Sequence, residues 1–285
     1  IHAETISQAK VAKRQLDGVL SNTIDRIGEP LRDIFALIEA SIDFPEEDID
    51  PGTRDLWIGK LSKVSHNLEQ YISSYTKGRI FRDGAKVVLS GIPNAGKSSL
   101  LNALVGEDRV IVSSVAGTTR DSIEERITLN GILVRISDTA GLIDDSFDKG
   151  RADEIELMGV AQSWKRVDNA DLVIFVIDPT QNILPQENLL AAVTSRNQNV
   201  LIIANKRDIP SPTFSKAQLS ISAKEASDIS ELSNAITKFL VGNNTYQDSD
   251  LIVTERHRDC LVKAQQRLSH AIEGLNLQLP LELIS

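Results

Sequence analysis

Cysteine is nearly absent from this sequence of 285 residues. Its one cysteine, Cys260, cannot form an internal disulfide and offers no cysteine cluster to a metal, as is usual in a reducing cytosol. No run of about 18 apolar residues occurs, so no membrane-spanning helix is predicted. The first residues also lack the charged-then-apolar pattern of a signal peptide. We therefore expect a cytoplasmic protein without a membrane partner.

Basic residues are also in the minority. Lysine and arginine number 31 against 40 aspartates and glutamates, which gives a formal net charge of −9. Because non-specific binding to nucleic acid depends on a basic surface, this balance argues against it, and no DNA partner is predicted. The apolar share of 41% and charged share of 25% are ordinary for a globular protein. The length allows two domains, at about 100–200 residues each.

The hydrophobic pattern changes twice along the chain. Apolar residues recur every three or four positions in 5–40 and again in 56–75, which predicts two helices, the second ending at Gly78. Helical spacing returns after residue 246. Between these regions, short apolar runs alternate with helical patterns and predict four strands, at 86–90, 131–137, 171–178 and 199–205.

This order predicts an α/β domain with a mostly parallel sheet, inserted into an all-α helical-bundle domain. We expect the helical domain to comprise 1–82 and a truncated second part, 246–285, with the α/β domain at 83–245. Two unrelated helical arms would give the same spacing, and the pattern does not choose between these arrangements. Since the sequence starts inside a helical pattern and stops in an apolar stretch, we expect a fragment.

Residues 91–98 read GIPNAGKS and lie between an apolar strand and a helical run. This is the G-x-x-x-x-G-K-[ST] pattern in the strand–loop–helix context that it requires. The backbone N–H groups of such a loop, with the helix N-terminus, surround phosphate oxygens. Lys97 should neutralise the β- and γ-phosphates as the catalytic cation, and Ser98 should ligate Mg²⁺. Nucleotide contacts are predicted for six residues: Asn94, Ala95, Gly96, Lys97, Ser98 and Ser99.

Two later segments are predicted to complete the phosphate and magnesium site. Asp138 ends a predicted strand and opens an Asp-Thr-Ala-Gly sequence, so its carboxylate can hold the magnesium through water. The N–H of Gly141 should contact the γ-phosphate. Thr118 and Thr119 lie between this segment and the glycine-rich loop, and a threonine there should be the second hydroxyl ligand of Mg²⁺. We prefer Thr119 for this role.

Residues 205–208, with the sequence NKRD, follow another apolar strand. Guanine presents two neighbouring donors, N1–H and the 2-amino group, and the carboxylate of Asp208 can accept both. Adenine would leave that carboxylate unpaired, which is costly. Asn205 should join the base-binding loops, and the stem of Lys206 should cover the face of the ring.

Ser222, Ala223 and Lys224 follow a further short apolar run and can supply a backbone N–H to guanine O6. Each base-reading motif is weak alone, because both arise by chance in surface loops. In this order after a phosphate-binding loop, the two motifs separate GTP from ATP. The sequence therefore predicts a P-loop GTPase domain of the Ras-like kind, with GTP or GDP and Mg²⁺ as ligands.

The position of the catalytic glutamine of Ras-like GTPases is occupied by Leu142, which cannot orient a water molecule. Hydrolysis must therefore use other groups. The side-chain oxygen of Asn94 can bind a monovalent cation near the α- and β-phosphates, where an arginine finger would otherwise supply positive charge. The loop 110–119 can fold over that cation. The competing explanation is that Asn94 only stabilises the turn.

In these motifs the chain resembles the tRNA-modification GTPases of the MnmE (TrmE) family. The D-F-P-E-E-D stretch at 43–48 discriminates, because the nucleotide motifs are shared with ribosome-assembly GTPases. The resemblance covers nearly the whole chain. It is carried by six segments: 43–48, 91–104, 116–121, 138–142, 205–208 and 222–224.

The resemblance implies a potassium-dependent GTPase in which the G domains of two copies pair transiently face to face, with Asn94 as a K⁺ ligand. It also implies a catalytic glutamate soon after the Asp-Thr-Ala-Gly-Leu sequence. Glu156 is our candidate and Glu154 its rival, since the intervening 143–151 is longer than the family pattern. These acids would otherwise serve only as a favourable helix N-terminus.

The resemblance further implies that GTP hydrolysis supports wobble-uridine modification of tRNA, together with an FAD-containing partner. The N-terminal folate-binding domain and the C-terminal cysteine tail of the family are not in this sequence, and Cys260 is expected on a helix face. Two other functions stay open. One is a ribosome-assembly GTPase, and the other is a nucleotide-dependent scaffold with little turnover, which Leu142 would allow.

Overall fold

Along the chain, helices precede and follow a series of alternating strands and helices. The computed structural model describes residues 3–44, 51–107, 124–138, 154–242 and 254–284. The helices are α1 (Ile6–Leu16), α2 (Val19–Asp43), α3 (Pro51–Asp83), α4 (Lys97–Glu107), α5 (Glu154–Asp168), α6 (Ile183–Arg196), α7 (Ala226–Val241) and α8 (Glu255–Asn276). The strands are β1 (Ala85–Ser90), β2 (Glu124–Leu129), β3 (Ile132–Asp138), β4 (Leu172–Ile177), β5 (Val200–Ala204) and β6 (Leu219–Ser220). A 3₁₀ turn, Leu281–Leu283, follows α8.

The chain divides into two compact units. The helical unit contains Ala9–Arg82 and Thr245–Ser285, and the α/β unit contains His2–Gln8 and Asp83–Asn244. The sequence placed residues 2–8 with the helices, but they group with the α/β unit, where Glu4 pairs with Arg126 at 3.4 Å. Helices from both ends of the chain thus form one unit rather than two unrelated arms. No described helix combines the length and apolar character needed to cross a membrane.

The core of the helical unit is built by α2, α3 and α8. Each helix contributes apolar residues spaced by about one or two turns, which places them on one face. The buried residues are Ile34 and Ile38 of α2, Trp57, Leu61, Val64 and Leu68 of α3, and Leu261, Leu268 and Leu275 of α8.

Helix α3 does not end at Gly78, and that prediction was wrong. It continues to Asp83 and buries Ile80 and Phe81, which are only 2% and 6% exposed. Glycine within a helix costs about 1 kcal/mol relative to alanine, whereas burying one large apolar side chain contributes about 1.5–3 kcal/mol. Burial in the last turn therefore outweighs the local preference of Gly78.

The sheet of the α/β unit has six strands in the order β2-β3-β1-β4-β5-β6. The four inner pairings from β3 to β6 are parallel, and β2 is antiparallel to β3. All six residues of β4 are buried, as expected for a parallel strand covered on both faces. Helix α4 contacts α7, and α5 contacts α6. The predicted α/β fold with a mostly parallel sheet is confirmed.

Strand β2 was not predicted, because it begins with two glutamates and lacks clean alternation. It is joined to β3 by Asn130 and Gly131, whose φ angles are 48° and 83°. An Asn-Gly pair with two positive φ values is the preferred two-residue hairpin turn. That dipeptide was the available signal for β2.

The parallel strands end together at one edge of the sheet. Leu89 of β1 is level with Asp138 of β3, and Ile177 of β4 is level with Ala204 of β5. Because ligands of open α/β sheets bind outside the carboxyl ends of the strands, this edge is where a site is expected. The predicted motifs follow these strand ends directly.

Candidate nucleotide-binding site

Glycine is required at two positions of the loop between β1 and α4. Gly91 has a φ of 146°, and a Cβ there would lie 2.4 Å from the carbonyl oxygen of Val176. Gly96 has a φ of 93°, and its Cβ would lie 2.3 Å from Nδ2 of Asn205. Any other residue would meet both a strained backbone and a steric clash. The loop is therefore packed against the neighbouring strand ends, with its backbone at the sheet edge.

Lys97, the first residue of α4, turns its side chain back into the loop. Its Nζ donates to the carbonyl oxygens of Gly91 at 2.9 Å and Ile92 at 3.0 Å. Burial lowers the pKa of Lys97, while the negative charge of Asp138 acts in the opposite direction. A phosphate in this loop would meet an ammonium group that has already lost much of its water.

Ser98 and Asp138 form the candidate magnesium site. The Ser98 hydroxyl donates to Oδ2 of Asp138 at 2.9 Å. The other carboxylate oxygen, Oδ1, is buried and has no hydrogen-bond partner among the described residues. An unpaired buried carboxylate oxygen is costly, and a hydroxyl beside a carboxylate is a ligand set that suits Mg²⁺. The donor set therefore fits this ion.

The described residues add no cluster of acids to this magnesium site. Within the described part of the chain, no group of three or more His, Cys, Asp or Glu side chains is placed to hold a metal. Mg²⁺ usually keeps several waters and takes phosphate oxygens from a nucleotide, so it needs few protein ligands.

Asn94 lies in the same loop, with a φ of 62° and an exposed side chain. Asparagine tolerates this left-handed conformation better than most residues, which agrees with a role in the turn. Its exposure leaves the side-chain oxygen accessible to a cation as well. Both explanations of Asn94 are compatible with the structure, and its potassium role stays a prediction.

Asn205 connects the phosphate-binding loop to the base-reading segments. Its Nδ2 donates to the carbonyl oxygen of Ala95 at 2.9 Å, and its Oδ1 accepts the backbone N–H of Ala223 at 3.1 Å. The residue is 3% exposed. We predicted that Asn205 joins the base-binding loops; its side chain also fixes the phosphate loop.

Asp208 accepts hydrogen bonds from two side chains of the segment that follows β6. Its Oδ2 accepts Nζ of Lys224 at 2.6 Å, and its Oδ1 accepts the hydroxyl of Ser222 at 3.1 Å. The hydrogen bond from Lys224 lowers the pKa of Asp208 below its usual value. The carboxylate is thus ionised at neutral pH, as an acceptor for two neighbouring N–H donors must be.

No role was predicted for Asp228, which lies in the first turn of α7. Its carboxylate accepts the backbone N–H of Ser222 at 2.7 Å and the guanidinium of Arg207 at 2.5 Å, and it is 2% exposed. Asp228 therefore positions both base-reading segments. An acid in a helix's first turn, soon after Ser-Ala-Lys, was the available signal.

Lys206 also has a partner that the sequence did not reveal. Its φ is 65°, and its Nζ donates to Oδ2 of Asp178 at 2.5 Å. Lys206 thus extends from its loop towards the end of β4 rather than into solvent.

The remaining predicted residues are placed only in part. Thr118, Thr119 and Gly141 lie outside the described residues, and so does Leu142. Glu154 and Glu156 belong to the first turn of α5. Their catalytic roles stay predictions.

Ser99 is the third residue to follow Gly96 and is exposed in the first turn of α4. Its backbone N–H is one of those at the N-terminus of this helix that lack an intrahelical partner. Such groups favour an anion, which is the environment predicted for the phosphates.

Known proteins resemble this chain over its whole length. The family model for the MnmE helical domain matches residues 1–285. The tRNA modification GTPase MnmE of Acetivibrio thermocellus is 35% identical over 295 residues, covering 100% of this chain and 63% of that protein. Its counterpart in Syntrophotalea carbinolica is 37% identical over 273 residues, covering 93% of this chain and 58% of that protein. The chain thus spans about three fifths of these relatives.

A crystal structure of Era from Aquifex aeolicus bound to GDP and AlF4⁻ is 24% identical, with a TM-score of 0.42 over 64% of this chain and 66% of that one. So weak a likeness adds nothing to what the sheet and loops already show.

Proposed function

Because this chain belongs to the MnmE family, we propose that it binds GTP and GDP with Mg²⁺ and hydrolyses GTP. The observation that carries the proposal is the double contact of Asn205, which joins the phosphate loop at Ala95 to the base-reading segment at Ala223. One rigid amide thus sets the spacing between phosphate-binding and base-binding groups. That spacing is what a nucleotide, as opposed to a free phosphate, requires.

The phosphate half supplies positive charge and oriented N–H groups. The Lys97 ammonium, held at the loop carbonyls, neutralises charge on the outer phosphates. Ser98 and Asp138 would hold Mg²⁺, which would neutralise charge that develops on the phosphates. The N-terminus of α4 adds a partial positive charge. These groups act on any nucleoside triphosphate.

The base half selects guanine. Asp208 is ionised and accepts N1–H and the 2-amino group, and a backbone N–H of the segment 222–224 donates to O6. The ammonium of Lys224 now at Oδ2 must give way to the base, while Ser222 can stay at Oδ1. An adenine ring would displace the lysine without offering the N1–H and 2-amino donors that replace it on guanine, and this penalty sets the preference for GTP.

Hydrolysis is proposed to depend on a monovalent cation and on a second copy of the chain. With Leu142 at the glutamine position, a water must be oriented by another group, for which Glu156 is the candidate and Glu154 the rival. Asn94, exposed in the phosphate loop, is the proposed K⁺ ligand. Transient pairing of two α/β units would bring the cation and the nucleotide out of water, where electrostatic stabilisation is stronger.

The biological role is proposed from the longer relatives, which are named tRNA modification GTPases. We propose that this chain is the GTPase portion of such a protein, acting in the cytoplasm on tRNA wobble-uridine modification with an FAD-containing partner. Energy from GTP hydrolysis would be used for rearrangement rather than for the modification chemistry itself.

A turnover assay tests the catalytic part of the proposal. Phosphate release from GTP should be faster in KCl than in NaCl, and the rate per molecule should rise with protein concentration because two copies must meet. Asn94→Ala should lose the potassium stimulation while GDP binding persists. Turnover that is equal in both salts at high protein concentration would contradict the potassium mechanism. GDP binding with no turnover in either salt would indicate a nucleotide-dependent scaffold instead.

A further inference from the structure

The carboxylate of Asp178 lies at the end of β4 and is completely buried. It accepts four hydrogen bonds. Thr180 gives two of them, from its backbone N–H at 3.0 Å and its hydroxyl at 2.6 Å. Gln181 Nε2 donates at 2.7 Å and Lys206 Nζ at 2.5 Å. No role in nucleotide binding or hydrolysis has so far been given to this carboxylate.

The position of Asp178 is fixed without any help from Lys206. Its backbone N–H donates to Oε1 of Gln186 at 2.8 Å, and its carbonyl oxygen accepts Nε2 of the same residue at 2.9 Å. Gln186 belongs to α6 and is itself fully buried. Strand β4 and helix α6 therefore hold Asp178 from both sides.

Lys206 differs in that Asp178 is the only hydrogen-bond partner of its ammonium among the described residues. The side chain is 28% exposed, and the backbone has a positive φ of 65°. Such a backbone is disfavoured for lysine and persists where the surroundings impose it. Asp178 is thus the fixed partner of the pair, and Lys206 is the side chain whose direction the pair decides.

The charge of this pair is maintained at physiological pH. Burial alone would raise the pKa of Asp178, but hydrogen bonds from Lys206, Thr180 and Gln181 outweigh it and lower the pKa to about 2. A buried carboxylate needs a cation, and removing that cation is costly. The Lys206 ammonium is therefore retained at Asp178.

We propose that Asp178 is a positioning residue for guanine-nucleotide binding, which holds the Lys206 ammonium so that the lysine stem lies along the base site. This inference rests on the proposed function. Lys206 then contributes apolar cover to the ring, and its charge serves as an anchor. The pair differs from Lys224 and Asp208, where the lysine is 76% exposed and the base must displace it.

Asp178 also stabilises the turn at 178–181, so the test must separate the two roles. We would measure binding of GDP and of inorganic pyrophosphate by calorimetry for Asp178→Asn, Lys206→Met and the double variant. Asparagine keeps the shape and can still accept from Thr180, and methionine keeps the stem without the anchor. Thr180→Val removes one turn hydrogen bond and leaves the lysine pair. Lys216→Met is the matched lysine control, since Lys216 pairs with Glu187 on the surface.

Asp178→Asn and Lys206→Met should each bind GDP about tenfold more weakly, with unchanged pyrophosphate binding. The double variant should bind GDP no more weakly than either of these two, because the residues act through each other. Thr180→Val and Lys216→Met should bind both ligands as the unmodified chain does. Additive losses in the double variant, equal losses for pyrophosphate, or a loss in Thr180→Val as large as in Asp178→Asn would overturn the inference.

Thermal unfolding would show which variants fold. If Asp178→Asn does not fold, Lys206→Met still tests the inference, because Asp178 keeps its other three hydrogen bonds in that variant. A ratio of GDP to pyrophosphate affinity that is unchanged in Lys206→Met overturns the inference. Absence of GDP binding by the unmodified chain would instead contradict the proposed function itself.

Discussion

In the proposed phosphate half of the site, at residues 91–98, the position of each group depends on the backbone. In the proposed base half, at 205–208 and 222–224, it depends on side chains. Gly91 and Gly96 allow close approach of the loop to its neighbours. Asp208 and Lys224, in contrast, hold each other through an exposed ion pair. Substitutions in the first half should therefore weaken the binding of all nucleotides, and those in the second should change the selectivity between them.

The largest effect is expected at Gly96, because alanine there would meet Asn205 and keep a strained φ. Strain of about 1–3 kcal/mol, together with loss of the Asn205 hydrogen bonds at about 1–3 kcal/mol, predicts a roughly 1000-fold weaker affinity for GDP and for pyrophosphate alike. Calorimetric titration measures both. Gly106→Ala, in α4, is the matched control, since no atom lies within 4 Å of its added Cβ. Unchanged binding by Gly96→Ala would show that the loop can relax.

Asp208→Asn should distinguish the two halves, because it should weaken GDP binding and leave pyrophosphate binding unchanged. Two hydrogen bonds to a charged acceptor, at about 1.5–3 kcal/mol each, would be weakened, so GDP affinity should fall roughly 100-fold. Pyrophosphate affinity should stay the same, because the side-chain partners of Asp208 are Ser222 and Lys224 rather than residues of the loop at 91–98. Asp168→Asn makes the same change in another exposed ion pair, with Arg196, and should affect neither ligand. An equal loss for pyrophosphate would argue that Asp208 supports the fold rather than reading the base.

Asn205→Ala should weaken the binding of both GDP and pyrophosphate, because this residue joins both halves. We expect a loss of about 2 kcal/mol, roughly 30-fold, in GDP affinity and a smaller but measurable loss for pyrophosphate. Asn197→Ala is the control: Asn197 is another buried asparagine, bonded to the carbonyl oxygens of Val167 and Ala170. The Asn197→Ala variant should have lower thermal stability and an unchanged affinity for both ligands. The same result for Asn205→Ala would mean that the two halves are not coupled through it.

The smallest effect is expected at Lys224, and it concerns pH. The Lys224 hydrogen bond keeps the pKa of Asp208 below its usual value. The contribution of the ionised carboxylate to GDP binding is therefore present at neutral pH and is lost only as the pH falls through that lowered pKa. In Lys224→Met the fall in GDP affinity on acidification should begin at a higher pH. Titrations from neutral pH to about pH 4 would show this shift, with Lys238→Met as an exposed control. A profile that does not move would contradict the assigned cause.

The positions of the candidate motifs in the fold could be predicted from the sequence because the motifs follow apolar strands. The loop at 91–98 and Asp208 lie where their spacing from β1 and β5 placed them. Asp178 and Asp228 were missed, since their partners Lys206 and Arg207 are 28 and 21 residues away along the chain. Such pairings arise only when strand ends meet in the sheet, and no periodicity encodes them.

The helices show the same limit of local patterns. The period of α2, α3 and α8 predicted their apolar faces, but Gly78 was given more weight than the burial of Ile80 and Phe81 that follow it. Strand β2 was missed because its charged start hides its pairing with β3, although the turn at Asn130 and Gly131 marks it. Tertiary burial and pairing decided both cases.

The central claim is that one site combines a general phosphate half with a guanine-selecting half. Calorimetric titration of the unmodified chain with GDP and with ADP, each with Mg²⁺, tests it most directly. A site built to pair with guanine donors should bind GDP at least about 100-fold more tightly than ADP. Equal affinities for GDP and ADP would contradict the account, because Asp208 would then play no part in reading the base.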